Sequence, residues 1–116
     1  MRKYVFSLVL LVSIISSSCE REKDFDETLL YGRWVEGTLY YRYASNGTGG
    51  SWDTSDDVRE EEAQPFTWTL NKSRLLVSHQ HFGGGISPEV FTVTELTETT
   101  LRVTDEDNRK RVFIKN

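Results

Sequence analysis

The segment Phe66-Thr67-Trp68-Thr69-Leu70 decides the fold class, because apolar and polar side chains alternate along it without a break. Successive side chains of a β-strand point to opposite faces of the sheet, so the Phe, Trp and Leu share one face and the two threonines share the other. The turn-forming residues Asn71-Lys72-Ser73 follow directly. The sequence therefore predicts a half-buried antiparallel strand that enters a hairpin.

Similar segments continue to the end of the chain, separated by short turns. We predict further strands at Arg74 to Phe82, Glu89 to Thr97, Thr100 to Thr104 and Lys110 to Lys115. Short strands with turn signals at regular spacing are typical of an up-and-down meander that closes or nearly closes, which also protects its edges. The predicted fold is therefore all-β, an antiparallel meander forming a small barrel or half-barrel with at most short helical turns.

The chain before this region is also rich in β-formers. Gly32 to Ser45 is predicted as one extended segment, in which Gly37 introduces a bulge or bend that changes the register. Asn46-Gly47-Thr48-Gly49-Gly50 is a strong turn signal, and Ser51-Trp52-Asp53 begins the next strand. The acidic segment from Asp56 to Ala63 is expected to be a loop with about one helical turn. A further helical turn is expected at Thr28 to Tyr31, capped by Asp26 or Thr28.

The N-terminus has the layout of a secretory signal peptide. Arg2 and Lys3 are followed by a run of twelve mostly apolar residues from Tyr4 to Ile15, and then by three serines. Such a run is too short to span a bilayer core, which needs roughly 20 residues. The single cysteine of the chain, Cys19, comes directly after the serines.

The segment Ile15-Ser16-Ser17-Ser18-Cys19 resembles the lipobox of bacterial lipoproteins, in which the cysteine thiol carries a diacylglycerol and becomes the N-terminus. The resemblance implies a signal peptide over residues 1–18, a membrane anchor at Cys19 and a place in the cell envelope. An ordinary secretory signal is the alternative. The charged residues that follow are predicted to form a tether over residues 19–29, and their acidic start resembles a sorting signal for the outer face of the outer membrane. A plain soluble linker is the alternative there.

The charge composition of the mature chain limits the classes of partner that it can bind. Without Arg2 and Lys3, 12 basic residues face 18 acidic ones, so the net charge is −6. An acidic chain without a basic stripe is a poor nucleic-acid binder, since affinity for nucleic acid depends on neutralising phosphates. With its one cysteine lipidated, the domain has no internal disulfide and depends on its apolar core.

Gly32-Arg33-Trp34, the Phe66–Leu70 strand and the up-and-down spacing together resemble the small lipocalin-like lipoproteins of Gram-negative bacteria. The resemblance covers residues 30–116, predicted to be the barrel domain. It implies that Trp34 lies across the closed end of the barrel. It also implies binding of a small apolar or amphipathic ligand.

Six aromatic residues are candidates to line the ligand cavity: Trp34, Tyr41, Tyr43, Trp52, Phe66 and Trp68. Packing in the core is the alternative role for those that face inward. Trp52, beside the glycine-rich turn, is expected to be the most exposed. A second hypothesis is a filled barrel that acts as an interaction module, binding a protein or glycan through its loops at Asn46 to Asp57 and Gly83 to Pro88.

The sequence offers little for catalysis or metal binding. On one strand, His79 and His81 share a face and could begin a zinc site if Glu89 or Asp57 supplied a third ligand. The acidic segment from Asp53 to Asp57 lacks the glycine and the final glutamate of a calcium loop. No nucleophile stands in a recognisable motif with a base. We therefore expect no catalytic residue, no metal, no cofactor and no enzymatic activity.

Overall fold

Residues 24–116 are described by a computed structural model, and they form a closed antiparallel barrel of eight strands. The strands are β1 Gly32–Glu36, β2 Leu39–Tyr43, β3 Thr48–Asp53, β4 Gln64–Asn71, β5 Arg74–Gln80, β6 Ile86–Leu96, β7 Thr100–Thr104 and β8 Lys110–Lys115. Each strand pairs with the next one along the chain, and β8 pairs with β1. The all-β meander is confirmed, and the sheet closes fully.

Within residues 24–116 the helical content is limited to three short 3-10 helices, at Glu27–Leu30, Thr54–Asp56 and Glu60–Glu62. The first is capped by the Asp26 side chain, which accepts a hydrogen bond from the Thr28 amide at 3.0 Å, as predicted. The described residues contain no helix that combines the length and the apolar character needed to cross a membrane. The predicted signal peptide and Cys19 lie outside the described residues.

The prediction of one continuous segment from Gly32 to Ser45 is wrong. Gly37 adopts a positive φ of 61°, and with Thr38 it forms a two-residue turn between β1 and β2. Glycine tolerates this backbone conformation without a steric penalty, so the chain reverses where a bulge was predicted. The reversal pairs Trp34 with Tyr41 across the two strands, and both side chains enter the barrel.

The turn predicted over residues 46–50 is shorter than expected, because Gly49 and Gly50 belong to β3. A Cβ atom on Gly49 would lie 2.5 Å from the Phe66 ring and 2.1 Å from the Arg42 carbonyl oxygen. Glycine is therefore required at residue 49 by close packing within the sheet. The absence of a side chain at Gly49 leaves the space that the Phe66 ring occupies in the barrel interior.

The barrel interior is filled by aromatic and aliphatic side chains in equal number. Inward residues of neighbouring strands pack ring against ring, with centroids 5.4 Å apart for Tyr41 and Phe113 and 5.8 Å apart for Tyr41 and Phe66. The core cluster consists of Leu30, Trp34, Tyr41, Tyr43, Phe66, Trp68, Leu75, Val77, Phe91, Val93, Leu96, Leu101, Val103 and Phe113. Eight-stranded barrels have interiors of a size that such side chains can fill.

Trp34 lies at the closed end of the barrel, as the lipocalin resemblance implied. Its side chain is fully buried, and its indole N–H donates to the Leu30 carbonyl at 2.7 Å. The Lys115 ammonium group lies 4.7 Å above the centre of the ring and also donates to the Tyr31 carbonyl. Phe25 and Leu29, from the segment assigned to the tether, pack against the core and thicken this end.

Candidate ligand-binding site

The opposite end of the barrel has a layer of polar side chains on top of the aromatic core. Glu89 on β6 is at its centre, because one carboxylate oxygen accepts hydrogen bonds from the Tyr41 hydroxyl at 2.8 Å and from His79 Nε2 at 2.9 Å. These two partners come from β2 and β5. The layer therefore joins strands that are far apart in the sequence.

Arg111 on β8 completes the layer. Its guanidinium group forms a forked ion pair with Glu36 on β1, at 3.0 and 2.7 Å, and lies 3.8 Å from Glu89. The same group sits 5.5 Å from the centre of the Phe91 ring and 5.1 Å from that of Phe113. Arg111 therefore covers the aromatic core with a charged plane that contacts it directly.

The surroundings fix the charges of this layer. Burial alone raises the pKa of Glu89, but the hydrogen bonds from His79 and Tyr41 outweigh it and hold the pKa below its usual range. Burial alone lowers the pKa of Arg111, but the bonds to Glu36 outweigh it and raise the pKa. Burial, together with the nearby Glu89, strongly raises the pKa of the Tyr41 hydroxyl. At neutral pH the layer thus holds a carboxylate, a guanidinium and a neutral phenol.

A pocket of about 390 Å³ opens above this layer, and we call it the mouth pocket. It is lined by His79, Ser87, Pro88, Glu89, Asp105, Glu106, Asp107, Arg109 and Arg111. Residues 105–109 form the turn between β7 and β8 and provide one wall. His79 lines the pocket, and its Nδ1 atom is buried and has no hydrogen-bond partner within residues 24–116. Buried polar atoms without a partner are rare in native proteins, so this nitrogen leaves one hydrogen bond unmade beside the pocket.

Five of the six candidate ligand residues lie together, but inside the core. Trp34, Tyr41, Tyr43, Phe66 and Trp68 are at most 4% exposed and pack against one another. The indole N–H of Trp68 is occupied by the carbonyls of Ala44 and Thr48. Only Tyr41, through its hydroxyl, reaches the polar layer beneath the mouth pocket.

Trp52, the sixth candidate, lies on the outer wall of the barrel. The expectation that it is exposed is wrong, since only 7% of it is accessible. Its ring stacks on Tyr40 with centroids 5.1 Å apart, and the segment from Thr54 to Ala63 covers it. We call this segment the strap. The strap is held down by Glu60, which pairs with Arg33 at 3.1 Å and with Arg42 at 2.8 Å.

The two histidines have different partners. His79 bonds Glu89, whereas His81 accepts from Gln64 Nε2 at 2.9 Å and donates to Ser87 Oγ at 2.6 Å. No cluster of three or more His, Cys, Asp or Glu side chains suited to a metal ion occurs among the described residues. The calcium-like segment is also accounted for locally, because the Asp53 carboxylate accepts from the Ser55 amide and from the Thr38 hydroxyl.

Sequence reasoning missed Glu36 and Arg111, although it considered Glu89. The available signal is charge at an inward position, since Glu89 alternates with Phe91 and Arg111 alternates with Phe113. Neither residue identifies its partner, because 75 residues separate Arg111 from Glu36 along the chain. Only closure of the barrel brings β8 beside β1.

A closed eight-stranded meander with a buried tryptophan at one end and a pocket at the other defines a lipocalin-like protein. Comparison with known families agrees, since the model of the lipocalin-like domain matches residues 14–103. The chain therefore belongs to the lipocalin-like domain family. Neither the curated proteins nor the solved structures include one that matches this chain.

Proposed function

We propose that this protein is a lipid-anchored envelope lipoprotein that binds a small amphipathic ligand in the mouth pocket, without catalysing a reaction. The anchor rests on the lipobox-like segment that ends at Cys19. Two or three acyl chains on that cysteine would hold the protein stably, since each buried methylene contributes about 0.8 kcal/mol. The outer membrane is the proposed location, supported by the acidic residues after Cys19.

The filled core supports the mouth pocket, and not the barrel interior, as the binding site. A ligand inside the barrel would have to displace rings that already contact each other, such as Tyr41 and Phe113. A ligand in the mouth pocket displaces none of these rings. It offers about 390 Å³ of space above groups that are already fixed by their own hydrogen bonds.

The buried, unpartnered Nδ1 of His79 is the observation that carries the proposal. A ligand donor or acceptor that reached this nitrogen would satisfy a polar atom that is otherwise costly to bury. The ring face of Pro88 and the methylene groups of the arginine side chains provide apolar contact nearby. The ligand we propose therefore has a polar group directed at His79 and an apolar part against the pocket wall.

A dye titration tests this proposal. The described core cluster lies between Leu30 and Phe113, so the chain from Glu20 onward contains the whole barrel and needs no detergent. We expect the uncharged amphipathic dye N-phenylnaphthylamine to bind saturably, with a rise in its fluorescence. Absence of saturable binding by the wild-type chain would overturn the proposal for ligands of this class.

A matched pair of variants locates the bound dye. Ser87→Trp fills the mouth pocket from its rim and should weaken binding by about tenfold or more. Ser78→Trp introduces the same side chain on the opposite face of the neighbouring strand and should change binding by less than about twofold. Equal effects of the two substitutions would place the dye elsewhere on the protein.

A protein partner is a second candidate function, favoured by the hairpin between β5 and β6. Phe82 and Ile86, at 92% and 66% exposure, are the most exposed large apolar side chains of the described residues, and both lie at the tip of this hairpin. The buried state of Trp52 removes the reason to assign the partner to the loops at residues 46–57.

A further inference from the structure

Strand β6 extends well beyond its neighbour β7. The pairing of the two strands begins at Thr92 with Thr104, whereas β6 itself begins at Ile86. Residues 86–91 therefore pair with β5 alone, and no other strand within residues 24–116 lies on their second side. At about 3.3 Å per residue, this overhang gives close to 20 Å of strand edge.

The backbone groups that face outward along this edge follow from the hydrogen bonds of the hairpin. The Val93 amide donates to Ser73 and the Gly85 carbonyl accepts from His81, so odd-numbered residues of β6 bond towards β5. Even-numbered residues point away from it. The outward groups are the amide and carbonyl of Ile86, the carbonyl of Pro88, and the groups of Val90. We call residues 86–90 the free edge.

The free edge forms one side of the mouth pocket and faces the β7–β8 turn. Four carboxylates and two guanidinium groups line this space, which gives a formal charge of −2 with His79 neutral. Both guanidinium groups are already paired, Arg109 with Asp105 and Asp107, and Arg111 with Glu36. A cationic group entering along the edge is therefore favoured.

We propose that the free edge binds an extended basic peptide segment of a partner protein as an added β-strand. Main-chain donors of the peptide would bond the Ile86 and Pro88 carbonyls, and its acceptor would take the Ile86 amide. A lysine or arginine side chain of the peptide would meet Glu106 and Asp107 across the pocket. This inference specifies the partner of the second candidate function and does not depend on the small ligand.

The same features disfavour a second copy of this chain. An antiparallel pairing of two free edges centred on Pro88 would place two prolines opposite each other, and neither has an N–H to donate. It would also bring the acidic turns at residues 105–107 of the two copies together. The Glu106 carboxylate already accepts the Val90 amide at 2.8 Å and shields that end of the edge.

The exposed hairpin tip adds apolar contact for the same partner. Ile86 is the first residue of the free edge, and Phe82 lies across the glycine turn from it. Gly83 and Gly84 both have positive φ, and no atom lies within 4 Å of where a Cβ would stand. The tip therefore has room around it for an apolar side chain of the bound segment.

Hydrogen exchange followed by NMR tests the proposal on the chain from Glu20 onward. The probe is a seven-residue peptide of alternating lysine and valine, acetylated and amidated at its ends. We expect its binding to slow exchange of the Ile86 amide by about tenfold or more, because that amide gains a strand partner. Amides of the strap should keep their exchange rates.

Two peptide controls separate strand addition from charge attraction. A peptide with every amide N-methylated keeps its charge but cannot donate to a strand edge, so it should bind at least about tenfold more weakly. A peptide of alternating glutamate and valine should also bind more weakly. Equal affinity of either control, or unchanged exchange at Ile86 with the bound probe, would overturn the proposal.

A matched pair of variants locates the charge effect. Asp107→Lys, in the β7–β8 turn, should lower the affinity for the lysine peptide by about three- to tenfold. Glu98→Lys changes the net charge equally but lies in the β6–β7 turn at the closed end, and should have less than about a twofold effect. Equal losses of affinity in the two variants would contradict binding of the peptide at the free edge. A dimer of the protein in analytical ultracentrifugation would instead show that a second copy of this chain occupies the edge.

Discussion

The two ends of the barrel differ in the polarity of their side chains. At the closed end, Trp34 and Leu30 are fully buried and make a single side-chain hydrogen bond between them. At the open end, Tyr41, Glu89 and Arg111 form a layer of hydrogen bonds and charges above the same core. The closed end is therefore shielded from water by apolar side chains. The open end presents polar and charged groups to the solvent.

This difference suggests that the closed end mainly stabilises the fold, whereas the open end mainly provides groups for binding. Apolar burial contributes roughly 25 cal/mol per Å², so the closed end stabilises the fold in proportion to its area. A buried charged network is nearly neutral in free energy, because desolvation of the charges offsets their attraction. The open end therefore adds little net stability, but it holds charged groups in fixed positions for a partner.

The largest expected effect comes from the closed end. Trp34→Ala should lower the free energy of unfolding by about 3–5 kcal/mol, because the cavity it leaves lies between rigid elements. Denaturant unfolding followed by circular dichroism measures the loss. If this variant does not fold, Trp34→Phe keeps an aromatic ring but leaves the Leu30 carbonyl without its donor, and should cost about 1–3 kcal/mol.

Trp52→Ala is the matched control for this prediction. Trp52 lies outside the core cluster, under a strap that is free to settle into the vacated space. The expected loss is about 2 kcal/mol or less, because the cost of a truncation depends on how far the site collapses. A loss equal to that of Trp34→Ala would contradict the special role of the closed end.

The next effect comes from the open end and depends on pH. Glu89→Gln should cost about 1–2 kcal/mol at pH 7, since it removes a carboxylate that His79 and Tyr41 bond. The pKa of Glu89 is lowered on folding from an ordinary value of 4.5, so its contribution is present above about pH 4.5 and is lost as the pH falls further. The prediction is tested by measuring the free energy of unfolding of the wild type and of Glu89→Gln between pH 3 and 7, a range that includes this pKa.

The two curves should converge towards the acidic end of that range. Glu95→Gln is the control, because Glu95 pairs with Arg102 at 3.5 Å on the exposed outer surface. It should change stability by at most about 0.5 kcal/mol. A gap between wild type and Glu89→Gln that stays constant with pH would show that the charge of Glu89 is not what the open end uses.

The closed end could be anticipated from the sequence, because its determinants are local. Gly32 and Trp34 are two residues apart, and the Phe66–Leu70 strand shows its inward face in its own alternation. The bounds of β7 and β8 were predicted correctly for the same reason. Periodicity and turn residues carry this information within a few positions.

The open end could not be anticipated as a whole, because the bond from Tyr41 to Glu89 spans 48 positions and the pair of Arg111 with Glu36 spans 75. Two local errors also came from glycine, which the sequence alone does not interpret. Gly37 supplies a hairpin turn where a bulge was predicted, and Gly49 makes room for Phe66 where a turn was predicted. Trp52 was expected to be exposed, and its burial under the strap could not be predicted, since the strap is held by Glu60 and its two distant arginines.

A smaller effect is expected from Lys115, whose ammonium group lies above the Trp34 ring at the closed end. Lys115→Met should cost about 1–2 kcal/mol, because the carbonyls of Leu29 and Tyr31 lose their donor while the contact with Trp34 remains apolar. Lys110→Met, at the exposed start of the same strand, is the control and should be close to neutral. If Lys115→Met is neutral as well, packing alone accounts for the stability of the closed end.

The smallest effect concerns the strap beside the open end. Glu60→Gln weakens two partly exposed ion pairs and should lower global stability by only about 0.2–1 kcal/mol. Its local effect should be larger, because the strap covers Trp52 while Trp34 and Trp68 stay in the core. Acrylamide quenching of tryptophan fluorescence should therefore rise in this variant while the unfolding midpoint barely moves. Unchanged quenching would mean that the strap stays over Trp52 without the ion pairs of Glu60. Val58 and the backbone of the strap would then be enough to hold it in place.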